Sequence, residues 1–231
     1  MRKVDPYLNF MSDRPNTIAP ASRPRYIAIE GVIGAGKTTI ATLLAERLGG
    51  RLVLERFEDN PFLPDFYRDP KRFAFQTQIF FLLSRYRQQQ EFHQLDLFYD
   101  HVVSDYIFDK DRIFASLTLN EHELTLYDAV VTALEGRVQK PDLIVYLQSS
   151  LNRLINNIHR RGRAMEESIT AGYLRDLSEA YTKYFFHYTS SPILIVNTAG
   201  MDFVNNQGSF DELVEEILRP SDARLRFFHL P

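Results

Sequence analysis

A three-layer α/β/α architecture around a five-stranded parallel sheet is the fold class this sequence predicts. Three observations predict it. Five short apolar runs are continuous rather than alternating, the pattern of strands covered on both faces. The stretches between them carry helical periodicity. A glycine-rich turn joins the first run to the first helical stretch. Strands alternating with helices imply βαβ units and hence a parallel sheet.

The runs are Tyr26 to Ile29, Leu52 to Leu54, Val102 and Val103 leading into Ser104 and Asp105, Leu143 to Leu147, and Ile193 to Val196. After Thr38, Ile40, Leu43, Leu44 and Leu48 keep helical spacing, and Gly49 with Gly50 supplies a stop. Ser150 is placed to cap a helix carrying Leu151, Leu154, Ile155 and Ile158. Tyr173, Leu174, Leu177, Tyr181 and Tyr184 make another stripe, and residues 212–218 read as a last helix. The long stretches 56–100 and 106–140 each have room for one or two long helices.

The chain has 231 residues, 45% hydrophobic and 25% charged. That is the mix of a globular protein and excludes a mostly disordered one. The absence of cysteine excludes a disulfide scaffold, a Cys-ligated zinc site, an iron–sulfur cluster and a thiol nucleophile. A net charge of -3 gives no basic balance for nucleic acid. No apolar run approaches the roughly 20 residues of a membrane span, and no secretory leader is visible, so the cytoplasm is the expected location. Residues 1–24, broken by Pro15, Pro20 and Pro24, read as a flexible arm. Residues 25–220 read as one domain and 221–231 as a tail.

The sharpest motif is Gly31, Gly34, Ala35, Gly36, Lys37 and Thr38, followed by Thr39, in the spacing G-x-x-x-x-G-K-[ST]. Glycines let backbone N–H groups turn inward around phosphate oxygens, and the following helix adds its N-terminal partial charge. Lys37 is placed for the terminal phosphates and the Thr38 hydroxyl for Mg²⁺. The motif predicts a P-loop NTPase arrangement that binds ATP or GTP. No base-reading N-K-x-D segment of a G-protein follows the fourth run, which leaves the small-molecule kinases.

Two acids end strands by this reading, Glu55 and Asp105. In an open α/β sheet, ligands bind at the carboxyl ends of the strands. A kinase for a hydroxyl acceptor needs a carboxylate near the attacking oxygen, and often a second acid near Mg²⁺. Residues 159–168 contain His159, Arg160, Arg161 and Arg163 and read as an arginine lid over the triphosphate. Cations at a helix C-terminus also simply complement the dipole.

These motifs, in order, resemble the deoxynucleoside kinases, with the bacterial deoxyadenosine and deoxyguanosine kinases most similar. The resemblance runs from about residue 26 to 204. It rests on the phosphate loop, Glu55 to Phe57, the stretch from Asn60 to Tyr67, Phe73 to Gln78, Arg85, and Arg160 to Glu166. It implies transfer of the ATP γ-phosphate to the 5′-hydroxyl of a deoxynucleoside, with purines favoured, in nucleotide salvage. Glu55 would be the general base, with Lys37, Arg161 and Arg163 stabilising the transferred group. Tyr67 and Glu166 would bond the sugar 3′-hydroxyl, Gln78 the base edge, and Arg85 and Phe57 would complete the pocket. Thr38 and Asp105 would serve Mg²⁺. The resemblance also implies a homodimer, for which the amphipathic stretch 121–134 has a suitable face.

The sequence departs from the family where an arginine is expected after Asp105. Tyr106 stands there, and either Lys110 or Arg112 supplies the charge. Asp109 and Asp111 both qualify as a base-reading acid. Phe80 and Phe81 read as core. A monophosphate kinase of the thymidylate kinase type and a scaffold-like family member are the competing readings.

Overall fold

Covered on both faces, the apolar runs become strands. β1 (Tyr26–Gly31) is buried along its whole length, and β4 (Leu143–Gln148) nearly so. With β2 (Arg51–Val53), β3 (Val102–Ser104), β5 (Ile193–Asn197) and β6 (Leu225–Phe228) they form one sheet in the order β2-β3-β1-β4-β5-β6. Every neighbouring pair is parallel. The computed structural model describes residues 23–95, 98–203 and 205–229. Most of the expected arm, residues 1–22, lies outside the described residues.

The sheet has six strands rather than the expected five. The sixth lies in the stretch 221–231 that reads as a tail. β6 is a half-buried edge strand rather than a fully covered one. Its Arg226 donates from Nη1 to the carbonyl and carboxylate of Glu216, at 2.9 and 3.0 Å. Charge therefore interrupts the apolar signal of this strand. β2 ends at Val53 and β3 at Ser104, so Glu55 and Asp105 follow their strands in the loops rather than ending them.

The intervening stretches are helical: α1 (Lys37–Leu48), α2 (Leu63–Arg68), α3 (Pro70–Leu95), α4 (Lys110–Thr118), α5 (Glu121–Glu135), α6 (Leu151–Arg161), α7 (Ala171–His187) and α8 (Gln207–Leu218). Ser150 caps α6 by accepting from the Arg153 N–H, and Gly162 ends it at φ +64°. Asn206 caps α8, which starts before residue 212. Asn120 and Glu123 close a reciprocal capping box at α5.

The main core lies between sheet and helices. A second cluster joins Leu82 of α3, Phe108 and Ala115 around α4, and Tyr127 and Val131 of α5. The apolar side of α5 is thus occupied inside the protomer. Leu126 is the large apolar side chain left exposed on that helix among the described residues. No helix among the described residues is long and apolar enough to cross a membrane.

Candidate active site

The order of strands reverses about β1, with β3 on one side and β4 on the other. Crevices form at the carboxyl ends of strands at such a switch. The phosphate loop sits there, between β1 and α1. Gly34 has φ +85°, and a Cβ on it would lie 2.6 Å from the Leu154 carbonyl oxygen. Glycine is required there by backbone angle and by space together. Gly36, at φ +94°, opens α1. Lys37 Nζ donates to the carbonyls of Gly31 at 2.8 Å and Val32 at 3.3 Å. Burial, with Lys110 nearby, pushes its ammonium down to about 8, against the pull of Glu30, Glu55 and Asp105.

On its outer side the loop borders a groove lined by Ala35, Gly36, Thr39, Arg153, Arg160 and Thr198, among others. Arg153 fixes the wall by donating to the carbonyls of Thr198 at 2.7 Å and Met201 at 2.5 Å. Asn157 donates to the Gly34 carbonyl at 2.8 Å. The groove is continuous with the loop glycines and suits a nucleotide.

On its inner side the loop meets a cavity of about 110 Å³. Asp105 joins the two sides. Its Oδ2 accepts from the Thr38 hydroxyl at 2.6 Å and its Oδ1 from the Glu55 N–H at 2.7 Å. The pair fits a hard cation that arrives with phosphates, which needs only a carboxylate and a hydroxyl from the protein. No group of three or more His, Cys, Asp or Glu side chains placed to hold a metal ion is found among the described residues.

Glu55 faces the cavity between two cations. Arg85 Nε reaches its Oε1 at 2.9 Å, with Nη2 on the same oxygen, and Lys110 Nζ reaches Oε2 at 2.6 Å. Burial alone would raise this carboxyl. Arg85 and Lys110 outweigh burial and hold it well below the usual carboxylate range. Arg85 also pairs through Nη1 with Asp111. Burial pushes Asp111 up to about 6 even with Arg85 beside it.

The open alternatives around α4 resolve by helical geometry. Residues two apart on a helix face away from each other. Lys110 and Asp111 therefore meet the cavity, while Arg112 turns to Glu135 at 2.8 Å. Asp109 turns to Lys140 at 3.0 Å and Tyr188 at 3.3 Å. Tyr106, in place of the expected arginine, is buried with its ring 5.9 Å from the Arg85 guanidinium carbon.

Gln78 and Arg85 are both buried and both line the cavity, which excludes a solvated helix face. Tyr67, Phe57, Arg161, Arg163 and Glu166 line it from the opposite side. Glu166 is buried and accepts from Arg161 Nε at 3.1 Å and Arg163 Nη1 at 3.5 Å. Arg163 lies over the Phe57 ring at 4.1 Å. Phe81 packs against the core cluster of Leu63, Phe66 and Ala74, as expected, and its ring also lines the cavity, 5.1 Å from the Arg85 guanidinium carbon. Phe75 packs in the second core cluster instead. Thr77, Phe114 and Tyr173 also line the cavity and were not signalled by the sequence. Gln78 and Thr77 are adjacent on α3, and Tyr173 hides in a stripe that otherwise reads as core.

A model of the deoxynucleoside kinase family matches residues 27–220. The deoxyguanosine kinase of Bacillus subtilis is 36% identical over 203 residues, which is 83% of this chain and 95% of that protein. The deoxyadenosine kinase of Dictyostelium discoideum is 32% identical over 209 residues, 88% of this chain and 82% of its own. Among solved structures, a deoxyadenosine kinase from M. mycoides with bound dATP superposes with a TM-score of 0.73 at 25% identity. The match covers 84% of this chain and 98% of that one.

Proposed function

The chain belongs to the deoxynucleoside kinase family and is a nucleoside kinase that uses ATP; from that premise we propose that Glu55 receives the proton of a deoxynucleoside 5′-hydroxyl. The 5′ oxygen attacks the γ-phosphorus, the bond from that phosphorus to ADP breaks, and the hydroxyl proton passes to the Glu55 carboxylate. A carboxylate held ionised is ready to accept that hydroxyl as a hydrogen-bond donor. In a loose transition state the proton leaves late, so positioning counts for more than basicity. Lys37 sits on the loop where terminal phosphates arrive. Arg161 and Arg163 reach the same space from the lid and balance charge on the transferred group.

One observation carries this reading. The Asp105 carboxylate joins Thr38 of the donor loop to the backbone of Glu55. Donor and acceptor groups are thereby fixed to each other by one residue. Thr38 and Asp105 would hold Mg²⁺, which supplies charge neutralisation on the phosphates when bound. Tyr67 and Glu166 would take the sugar 3′-hydroxyl. Gln78, Arg85 and Asp111 would take the base, purines favoured, with Phe57, Phe81 and Phe114 as apolar walls.

The monophosphate kinase alternative is not favoured. Glu55 and Asp111 both line the acceptor cavity and would repel an acceptor phosphate. A homodimer and a cytoplasmic location belong to the same proposal; the cysteine-free chain suits a reducing compartment. Light scattering on a sizing column measures the first.

The test is ADP release by the purified protein with Mg-ATP, run against dA, dG, dC, dT and dAMP. The reading expects release with nucleosides, strongest with a purine. Release with dAMP alone contradicts it.

A further inference from the structure

Arg85 serves two carboxylates at once. Its Nε and Nη2 hold Glu55 Oε1, and its Nη1 holds Asp111 Oδ1. The partners are 30 residues upstream and 26 downstream in sequence, so the bridge spans three separate segments. The guanidinium is 3% exposed and Asp111 1%. The Arg85–Asp111 end is closed to water, whereas Glu55 is 13% exposed and faces the cavity. The guanidinium also lies against Phe81 and Tyr106, at 5.1 and 5.9 Å. One guanidinium, bordered by two rings, therefore supplies the bonds to both carboxylates.

The two ends face different parts of an acceptor. Glu55 lies beside Asp105 and the phosphate loop, where phosphoryl transfer takes place. Asp111 and Gln78 are both buried and both line the cavity. Asp111 Oδ2 is buried and has no hydrogen-bond partner among the described residues. Arg85 Nη1 pairs with Asp111 and with no other side chain among the described residues.

From this arrangement we propose that Arg85 is a positioning residue that links the identity of the nucleobase to the freedom of Glu55 during phosphoryl transfer. The proposal rests on the nucleoside kinase reading and deepens it. A base that offers acceptors draws the guanidinium toward itself and relaxes its hold on Glu55. The carboxylate can then turn to the 5′-hydroxyl, with Lys110 still keeping it ionised. A base that offers a donor draws Asp111 instead, and Arg85 closes on Glu55. On its major-groove edge guanine presents two acceptors, adenine one acceptor and one donor, and cytosine a donor alone. Base identity is then read in the rate of the chemical step as well as in affinity. A pocket that only gripped the base would change KM and leave the rate at saturation alone.

The experiment is rapid-quench single turnover at saturating Mg-ATP and saturating nucleoside, with dG, dA and dC. The expected rate constants fall in the order dG, dA, dC, spanning about tenfold or more. Equal rates at saturation, or the reverse order, overturn the coupling. Two variants sharpen the result. Asp111→Asn leaves the guanidinium to Glu55 and slows dG transfer about tenfold. Adding Arg85→Gln restores most of that rate while KM stays raised. Losses that simply add overturn the coupling. Should a variant fail to fold, the panel of three bases on the wild-type protein still decides. Absence of nucleoside-dependent turnover in the wild type removes the kinase reading and the coupling with it. An active wild type with base-independent rates removes the coupling alone.

Discussion

The phosphate loop keeps its shape through backbone, whereas the pocket beside it keeps its shape through charged side chains. In the loop, glycine angles and the start of α1 set the geometry within one stretch of chain, braced from outside by Asn157 and Asp105. In the pocket, Glu55, Arg85, Lys110 and Asp111 come from the loop after β2, from α3 and from α4. Each position depends on another residue's charge. Backbone sites of the first kind bind any phosphate chain and tolerate no added atom at the key glycine. Networks of the second kind tune ionisation and choice of substrate, and they fail in a graded way.

The largest expected effect on ATP affinity separates the two regions at Gly34. Gly34→Ala puts a Cβ 2.6 Å from the Leu154 carbonyl at a φ of +85°. Backbone strain and overpacking together cost on the order of 3 kcal/mol. ATP affinity measured by calorimetry should fall more than about a hundredfold, with nucleoside binding retained. Retained ATP affinity would break the comparison. Next comes Lys110→Met on the charged side. It removes the cation that keeps Glu55 ionised when Arg85 turns to the base, and should lower kcat about a hundredfold. The ATP dissociation constant should hardly move. An equal loss of ATP affinity would show that the two regions are not separable.

Arg161→Ala should cost less, about tenfold in kcat, because Arg163 contacts the same Glu166 carboxylate from the same lid. Steady-state kinetics with the Arg161→Ala and Arg163→Ala single variants and the double variant would show whether the two arginines substitute for each other. The smallest effect concerns pH. Burial first, and Lys110 second, push Lys37 down to about 8. Bound phosphate needs the charged ammonium, so above about pH 8 binding must take up a proton. The ATP dissociation constant should therefore rise about threefold between pH 7.5 and 8.5, at one proton per site. A flat titration would mean that Lys37 stays charged in the free protein.

The same contrast explains what could be read from the sequence. The donor loop was legible because its residues are contiguous and glycine positions have a backbone reason. β1, β4 and β5 were legible because strands covered on both faces are apolar throughout. β6 was not, because an edge strand carries Arg226 to cover α8. Glu55, Gln78 and Arg85 were found in order along the chain, but their pairing was not. Nothing in the string Asp109, Lys110, Asp111, Arg112 says which two face the cavity. The register of α4 decides it by turning Lys110 and Asp111 inward and their neighbours toward Glu135, Lys140 and Tyr188. Phe81 meets core and cavity at once while Phe75 meets only a core cluster, since an aromatic-rich helix presents one face to the cavity and another to the core.

The account depends most on Glu55 as the residue that receives the acceptor hydroxyl proton. The most direct measurement compares the wild-type protein with Glu55→Gln. Folding is followed by thermal melting, binding of ATP and deoxynucleoside by calorimetry, and turnover by ADP release. Glutamine keeps the shape and an acceptor oxygen but cannot take the proton. The account predicts a fall in kcat of about a thousandfold, with both dissociation constants changed by less than about threefold. A folded Glu55→Gln protein that turns over within about tenfold of the wild type contradicts it.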